Sequence, residues 1–318
     1  MPRQTAEAER LHGGFMKVMV GVCTTEDRDH IQDCLESIVS AECKNIKILK
    51  LVVVASKCTE KTLAGIRNLM DRDSRVEIIA EPFRRGKATA LNTLFERFGR
   101  TDADALILIN GDAKVLPGAM DALAETSVRE GADVVGGSPF PSQNGSTGGA
   151  RAFSSINWTI HNAFLQECLN MRENPHATDE LLLITRKAVK PIPERVVNDG
   201  AYIAVRTRKM GMRVSYSPNA KVEVAAPTTM FGLLYQRARI IRGHIELFAL
   251  EKTPPTTIET SMLISPALTA RTVFSLLKVV GLSKLAKAVL AETAAWILAL
   301  SMIPFDKKPW IWQRVDAV

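Results

Sequence analysis

A carboxylate closes the apolar run LILINGDAKVLP, in which Asn110-Gly111-Asp112 follows four apolar residues. Asn-Gly is a common turn dipeptide. A carboxylate at the carboxyl end of a buried strand is also where open α/β sheets meet their ligands, and there it can carry a divalent cation. Three further stretches hold residues capable of chemistry. Arg84-Arg85-Gly86-Lys87 opens a helical run that reaches Asn92. It lacks the glycine of a GxxxxGK[ST] phosphate loop, so what remains is a basic turn whose lysine and backbone N–H groups suit an anion, or a solvated turn. Asn198-Asp199-Gly200 places a carboxylate at a helix start, as an N-cap or as a general base. Finally, Gln236-Arg237-Ala238-Arg239-Ile240-Ile241-Arg242-Gly243-His244 puts Gln236, Arg239 and Arg242 at three-residue spacing on one helix face. Guanidinium groups so arranged suit a diphosphate or form a basic surface stripe.

These residues need a scaffold, and the hydrophobic pattern supplies one. KVMVGV (17–22), LKLVVVA (49–55), 76–80, 105–110 and DVVGG (133–137) read as strands, several of them apolar on both faces. Helical spacing fills 29–41, 59–71, 87–98 and 118–130. Strand alternating with helix predicts an α/β fold, a mostly parallel sheet with helices on both faces. Residues 139–149 are rich in Gly, Ser and Pro and read as a mobile loop. Beyond it the pattern predicts a helix over 153–171, a strand over 181–185, a helix from Ala201, strands near 213–217 and 220–224, and a helix from Gly232 to about Leu250.

The organisation is therefore a polar leader (1–15), a catalytic body (16–252) and an apolar, amphipathic helical tail (256–318). In the tail, 262–280 and 288–303 are apolar but carry Pro266, Arg271, Lys278 and Glu292, so neither is a clean spanning helix. Trp310 and Trp312 beside Lys307 and Lys308 have the composition of a membrane interface. A net charge of +7 favours anionic partners. The basic residues form no single run and aromatics are only 6%, which argues against nucleic acid. Five cysteines with no CxxC pair fit a reducing compartment better than a disulfide framework or a zinc site.

Taken in order, these pieces resemble the family-2 glycosyltransferases of GT-A fold, the group that includes cellulose and hyaluronan synthases. The likeness runs from about Lys17 to Leu250. VGVCTTEDRDHIQDCLES is similar to the family's first strand and helix, which implies Thr24 and Glu26 near the nucleotide base. RRGKATALN matches the family's GKxxALN and implies donor contacts from Lys87 and Asn92. Asn110-Gly111-Asp112 falls on the Asp-x-Asp motif with its first aspartate lost, which leaves Asp112 to hold Mn²⁺ or Mg²⁺ through the donor diphosphate. Asp199 resembles the catalytic base, and Gln236, Arg237 and Arg239 resemble the Gln-x-x-Arg-Trp helix that holds the diphosphate. Ile240 stands where polymer-forming members carry Trp, and Ala55-Ser56 where the family has a base-contacting Asp.

The resemblance implies an inverting, metal-dependent transfer of one sugar from a nucleoside diphosphate sugar to an acceptor hydroxyl. Together with the tail it implies a lipid or lipid-linked glycan acceptor, and a place at the cytoplasmic face of the cell membrane. Two other readings suit the same residues. One is a sugar-phosphate nucleotidyltransferase. The other is a non-catalytic membrane-surface scaffold that has kept the fold and lost the aspartates.

Overall fold

The computed structural model describes residues 15–26, 30–142, 148–304 and 309–311. The leader up to residue 14, residues 143–147 of the predicted loop, and Lys307, Lys308 and Trp312 lie outside the described residues. Residues 139–141 of that loop instead end a strand.

The apolar runs become strands because their side chains are buried on both faces of one sheet. These strands are β1 (Met16–Thr25), β2 (Ile46–Ser56), β3 (Val76–Glu81), β4 (Ala105–Asn110), β5 (Ala113–Val115), β6 (Val134–Pro141), β7 (Leu181–Thr185) and β8 (Val214–Val224). Their order in the sheet is β3-β2-β1-β4-β7-β6-β8-β5. In β4 the alternating side chains divide between two cores: Ile107 and Ile109 join one, Leu106 and Leu108 the other. Each buried aliphatic side chain contributes about 1.5–3 kcal/mol.

The sheet is mixed, with four of its seven strand pairings parallel. β1, β2, β3 and β4 pair in parallel, as do β6 and β8. Strand β7 runs antiparallel to both β4 and β6, and β5 runs antiparallel to β8. LLLIT is apolar throughout, so its composition carries no trace of direction. The two strands predicted over 213–224 are one strand, β8, whose register against β6 shifts between Gly136 and Ser138. Ser217, Pro218 and Asn219 lie in that irregularity, and their turn-like composition is what splits the run when read from sequence.

Helices α1 (Ile31–Val39), α2 (Glu60–Arg72), α3 (Lys87–Gly99) and α4 (Ala119–Glu130) connect the first strands. Then come α5 (Gly148–Met171), α6 (Asp199–Lys209) and α7 (Met230–Glu251). The tail folds as three helices, α8 (Ile258–Ile264), α9 (Pro266–Val279) and α10 (Leu282–Met302). Pro266 begins α9 at a position where its missing N–H costs nothing. The apolar run predicted from Ala288 belongs to a 21-residue helix that starts at Leu282, long and apolar enough by length and composition to cross a membrane. Only 17% of its most apolar window is buried in the protein. What does pack is a seam of small residues: Ala295 and Ala299 of α10 sit against Ala238 and Ile241 of α7.

That seam fixes the roof of the site described below, and it leaves no room for a larger side chain. Ala295→Leu is expected to lower stability by about 1–3 kcal/mol through overpacking. Limited proteolysis should then cut first between α7 and α10, and thermal unfolding gives the loss.

Candidate active site

Strand β4 ends beside β1, its parallel neighbour in the sheet. The Gly111 N–H donates to the Cys23 carbonyl at 3.2 Å. A Cβ at position 111 would stand 2.9 Å from that same oxygen, so only glycine fits. The Asn-Gly pair therefore serves a close strand approach, and Asp112 emerges from it into a cavity of about 430 Å³. Cys23, Thr24, Thr25, Asn110 and Arg84 line the same end. The Thr24 and Thr25 hydroxyls are buried there with no hydrogen-bond partner among the described residues.

Asp199 is the first residue of α6, but it does not cap the helix. Asn198 does, accepting the Ala201 N–H through its side chain at 3.2 Å. The Asp199 carboxylate is thus left to point at Lys87, whose Nζ stands 3.0 Å from it and 2.5 Å from Asp179 Oδ2. Gly200 permits this convergence, since a Cβ there would lie 2.6 Å from the Ala177 carbonyl, on the segment that carries Asp179. Lys87, predicted as a free anion contact, is a half-buried cation shared by two carboxylates. Asn92, also predicted to touch the donor, lies outside the cavity lining. Its amide donates to the Ile192 carbonyl at 2.7 Å and accepts the Ile192 N–H at 2.8 Å, which braces the segment leading to Asp199.

The arginine helix divides its residues. Gln236, Arg237, Ile240 and His244 face the cavity. Arg239, two positions from Arg237, points the other way, as helix geometry requires. It is 3% exposed and donates to the Pro309 carbonyl at 2.8 Å. Arg237 meets two tail carboxylates, Glu259 at 2.6 Å and Glu292 at 2.7 Å. Burial opposes the charge on Glu259, but Arg237, with hydrogen bonds from Thr257 and the backbone, holds that carboxyl down at about 2. Glu26 is placed at the rim, 3.4 Å from Arg84, and is not part of the cavity lining.

A family profile described as glycosyl transferase family 2 matches residues 19–192, more than half of the chain. The chain belongs to glycosyltransferase family 2. No curated protein matches it at a significant level. Among solved structures it is similar to the mannosyltransferase PcManGT from Pyrobaculum calidifontis, determined in complex with GDP-Man and Mn²⁺. That match has a TM-score of 0.65 and 19% identity, and covers 95% of this chain and 94% of the other. A second likeness, to S. aureus TarS, has a TM-score of 0.50 and 11% identity over 83% of this chain and 44% of that one. At such identities the likeness is one of fold, the GT-A glycosyltransferase fold.

Several cavity residues of this glycosyltransferase were missed in the sequence. Asp179 and Glu180 precede β7 as a Thr-Asp-Glu triplet ahead of an apolar run, a cue comparable with that of Asp112. His161, His176, Glu259 and Glu292 reach the cavity from α5, from the stretch before β7, and from the tail. Nothing in their spacing announces that meeting.

The acidic groups are tuned against one another. Burial raises Asp199, Lys87 lowers it and Asp179 raises it again, and the outcome is a carboxyl at about 6. Burial opposes the charge on Asp179 too, yet Lys87 holds it below the ordinary carboxylate range. Glu180 is pushed up to about 8, by burial first and then by Asp179 beside it. A base must be deprotonated, so activity that depends on Asp199 is lost as pH falls through about 6. Lys87→Met removes the influence that lowers Asp199 and should move the acid limb of the pH–rate profile to higher pH. Asp179→Asn removes an influence that raises it and should move the limb lower. Shifts of equal sign in the two variants would contradict this electrostatic account.

Proposed function

We propose that the protein transfers a single sugar from a nucleoside diphosphate sugar to an acceptor hydroxyl with inversion, using Asp199 as the base. The observation that carries this reading is a buried carboxyl at about 6 in the same cavity as Asp112 and the Gly86-Lys87 helix start. The Asp199 carboxylate takes the proton of the acceptor hydroxyl. The oxygen forms a bond to the anomeric carbon while the bond from that carbon to the diphosphate oxygen breaks on the opposite face.

The residues present fit a divalent cation held jointly with substrate. No group of three or more acidic, His or Cys side chains could hold one alone among the described residues. Asp112 supplies one carboxylate to the cavity, and diphosphate oxygens would complete the set, the usual mode for Mg²⁺ and Mn²⁺ at phosphates. When bound, the ion supplies positive charge against the departing diphosphate. Arg84 and the N-terminal N–H groups of α3 add to it from the protein. Arg237 is already neutralised by Glu259 and Glu292, and Arg239 lies outside the cavity, so neither is assigned the diphosphate role that their motif implies. The unpartnered Thr24 and Thr25 hydroxyls support placing the nucleoside against β1. The GDP-Man and Mn²⁺ complex of the similar mannosyltransferase makes GDP-mannose the first donor to try.

Ile240 in place of the polymerase-type Trp supports single transfer rather than polymerisation. A lipid or lipid-linked glycan acceptor at the cytoplasmic membrane face is supported by the outward apolar side chains of the tail, among them Leu263 at 90% and Leu290 at 71% exposure.

A screen of nucleotide sugars with Mn²⁺, followed by diphosphate release, tests the reading. Asp199→Asn is expected to lower kcat by about 10²–10⁴, and Asp112→Ala to abolish stimulation by Mn²⁺. Wild-type turnover in both variants would refute the assignment. Pyrophosphate release from a nucleoside triphosphate and a sugar phosphate would point to nucleotidyl transfer instead.

A further inference from the structure

The cavity has a second half that glycosyl transfer by Asp112 and Asp199 leaves unexplained. Three of the chain's five histidines, His161, His176 and His244, line it. His161 and His176 meet edge to face with ring centroids 4.9 Å apart, and Trp158 meets His161 in the same way at 5.2 Å. His176 Nδ1 is satisfied by the Thr256 carbonyl at 2.9 Å. His161 Nε2 is buried and has no partner among the described residues. Buried polar atoms are rarely left unpaired, and this one belongs to a side chain that lines the cavity, where a small rotation of the ring brings it to a ligand atom.

The charges here are closed. Burial, His176, Arg237 and His244 all hold His161 well below its ordinary value, so it is uncharged. Burial likewise lowers His176, and it lowers His244 to about 3. Arg237 carries one positive charge against two carboxylates. An anionic head entering this half would have to displace Glu259 or Glu292 from Arg237 and leave a half-buried carboxylate without its cation, which is unfavourable. A hydroxyl displaces nothing. The apolar part of the lining comes largely from the tail, through Ile258, Leu276, Leu285 and Val289, joined by Phe164 and Leu233.

We propose that this half is the acceptor subsite, that it takes the uncharged, hydroxyl-bearing head of an amphiphile, and that His161 Nε2 positions that head by a hydrogen bond. The proposal rests on the glycosyltransferase reading and adds to it the chemical class of the acceptor. It distinguishes a neutral glycoside-type head from a lipid phosphate.

The test uses full-length protein and calorimetry. GDP and UDP are titrated first, with Mn²⁺. Absence of binding by either would remove the donor reading itself and this proposal with it. Next come n-octyl β-D-glucoside below its micelle concentration, free glucose and farnesyl phosphate. The glucoside is expected to bind more tightly than glucose, and affinity to rise by up to about fourfold per methylene along an alkyl series. His161→Ala should weaken the glucoside roughly tenfold and His161→Gln should restore most of it, as a lost and replaced hydrogen bond would. Unchanged nucleotide affinity in both variants shows that they fold. Nucleotide binding without glucoside binding, farnesyl phosphate bound as tightly as the glucoside, or equal losses in the Ala and Gln variants would each overturn the acceptor assignment and leave the donor reading standing.

Discussion

A lysine ammonium held between two carboxylates in the wall of the cavity is the constraint on which the site depends. Lys87 begins α3, Asp199 begins α6, and Asp179 lies on the segment entering β7. The three come from stretches that are far apart in the chain. The ion cluster therefore forms only once β4 and β7 lie side by side and α3 packs beneath them. Removing its cation would leave the buried Asp199 carboxylate facing the half-buried one of Asp179, a greater cost than the loss of a surface ion pair. The same arrangement sets the basicity of Asp199: burial alone would push the carboxyl up, and the ammonium draws it back into a range useful for a base.

Local structure serves that cluster. Asn198 takes over the capping of α6 and so frees the neighbouring aspartate. Glycines at 111 and 200 admit backbone approaches that any Cβ would block. Asn92 braces the segment that leads to Asp199. Each is an inexpensive device, and together they hold a carboxylate at a helix start, aimed inward.

The tail completes the cavity from above. Its alanines let α10 lie close against α7, and its glutamates reach through to Arg237. The arginine motif of the family is thereby divided: one guanidinium latches the roof and the other is buried against the C-terminal segment at Pro309. Beside those glutamates the roof turns Leu276 and Leu285 inward, and it leaves Leu263, Leu290 and Ile297 exposed outside. This gives the acceptor half a greasy wall and the protein an exposed apolar surface at the same place.

Much of this was legible in the sequence alone. Doubly covered strands announce themselves as unbroken apolar runs, because burial on both faces leaves no polar alternation. The Gly86-Lys87 turn, Asp112 and Asp199 were visible because each sits at the junction of a strand or helix with a turn, where side-chain type and position are coupled. Strand direction was not visible, since LLLIT reads alike either way along the sheet. Nor was the facing of the arginine helix, because two guanidiniums two residues apart must diverge and only packing chooses which turns inward. The histidines and the tail glutamates belong to the cavity purely through long-range contacts. Local pattern reports what a residue can do beside its neighbours in the chain, whereas shared burial decides which distant groups must neutralise one another.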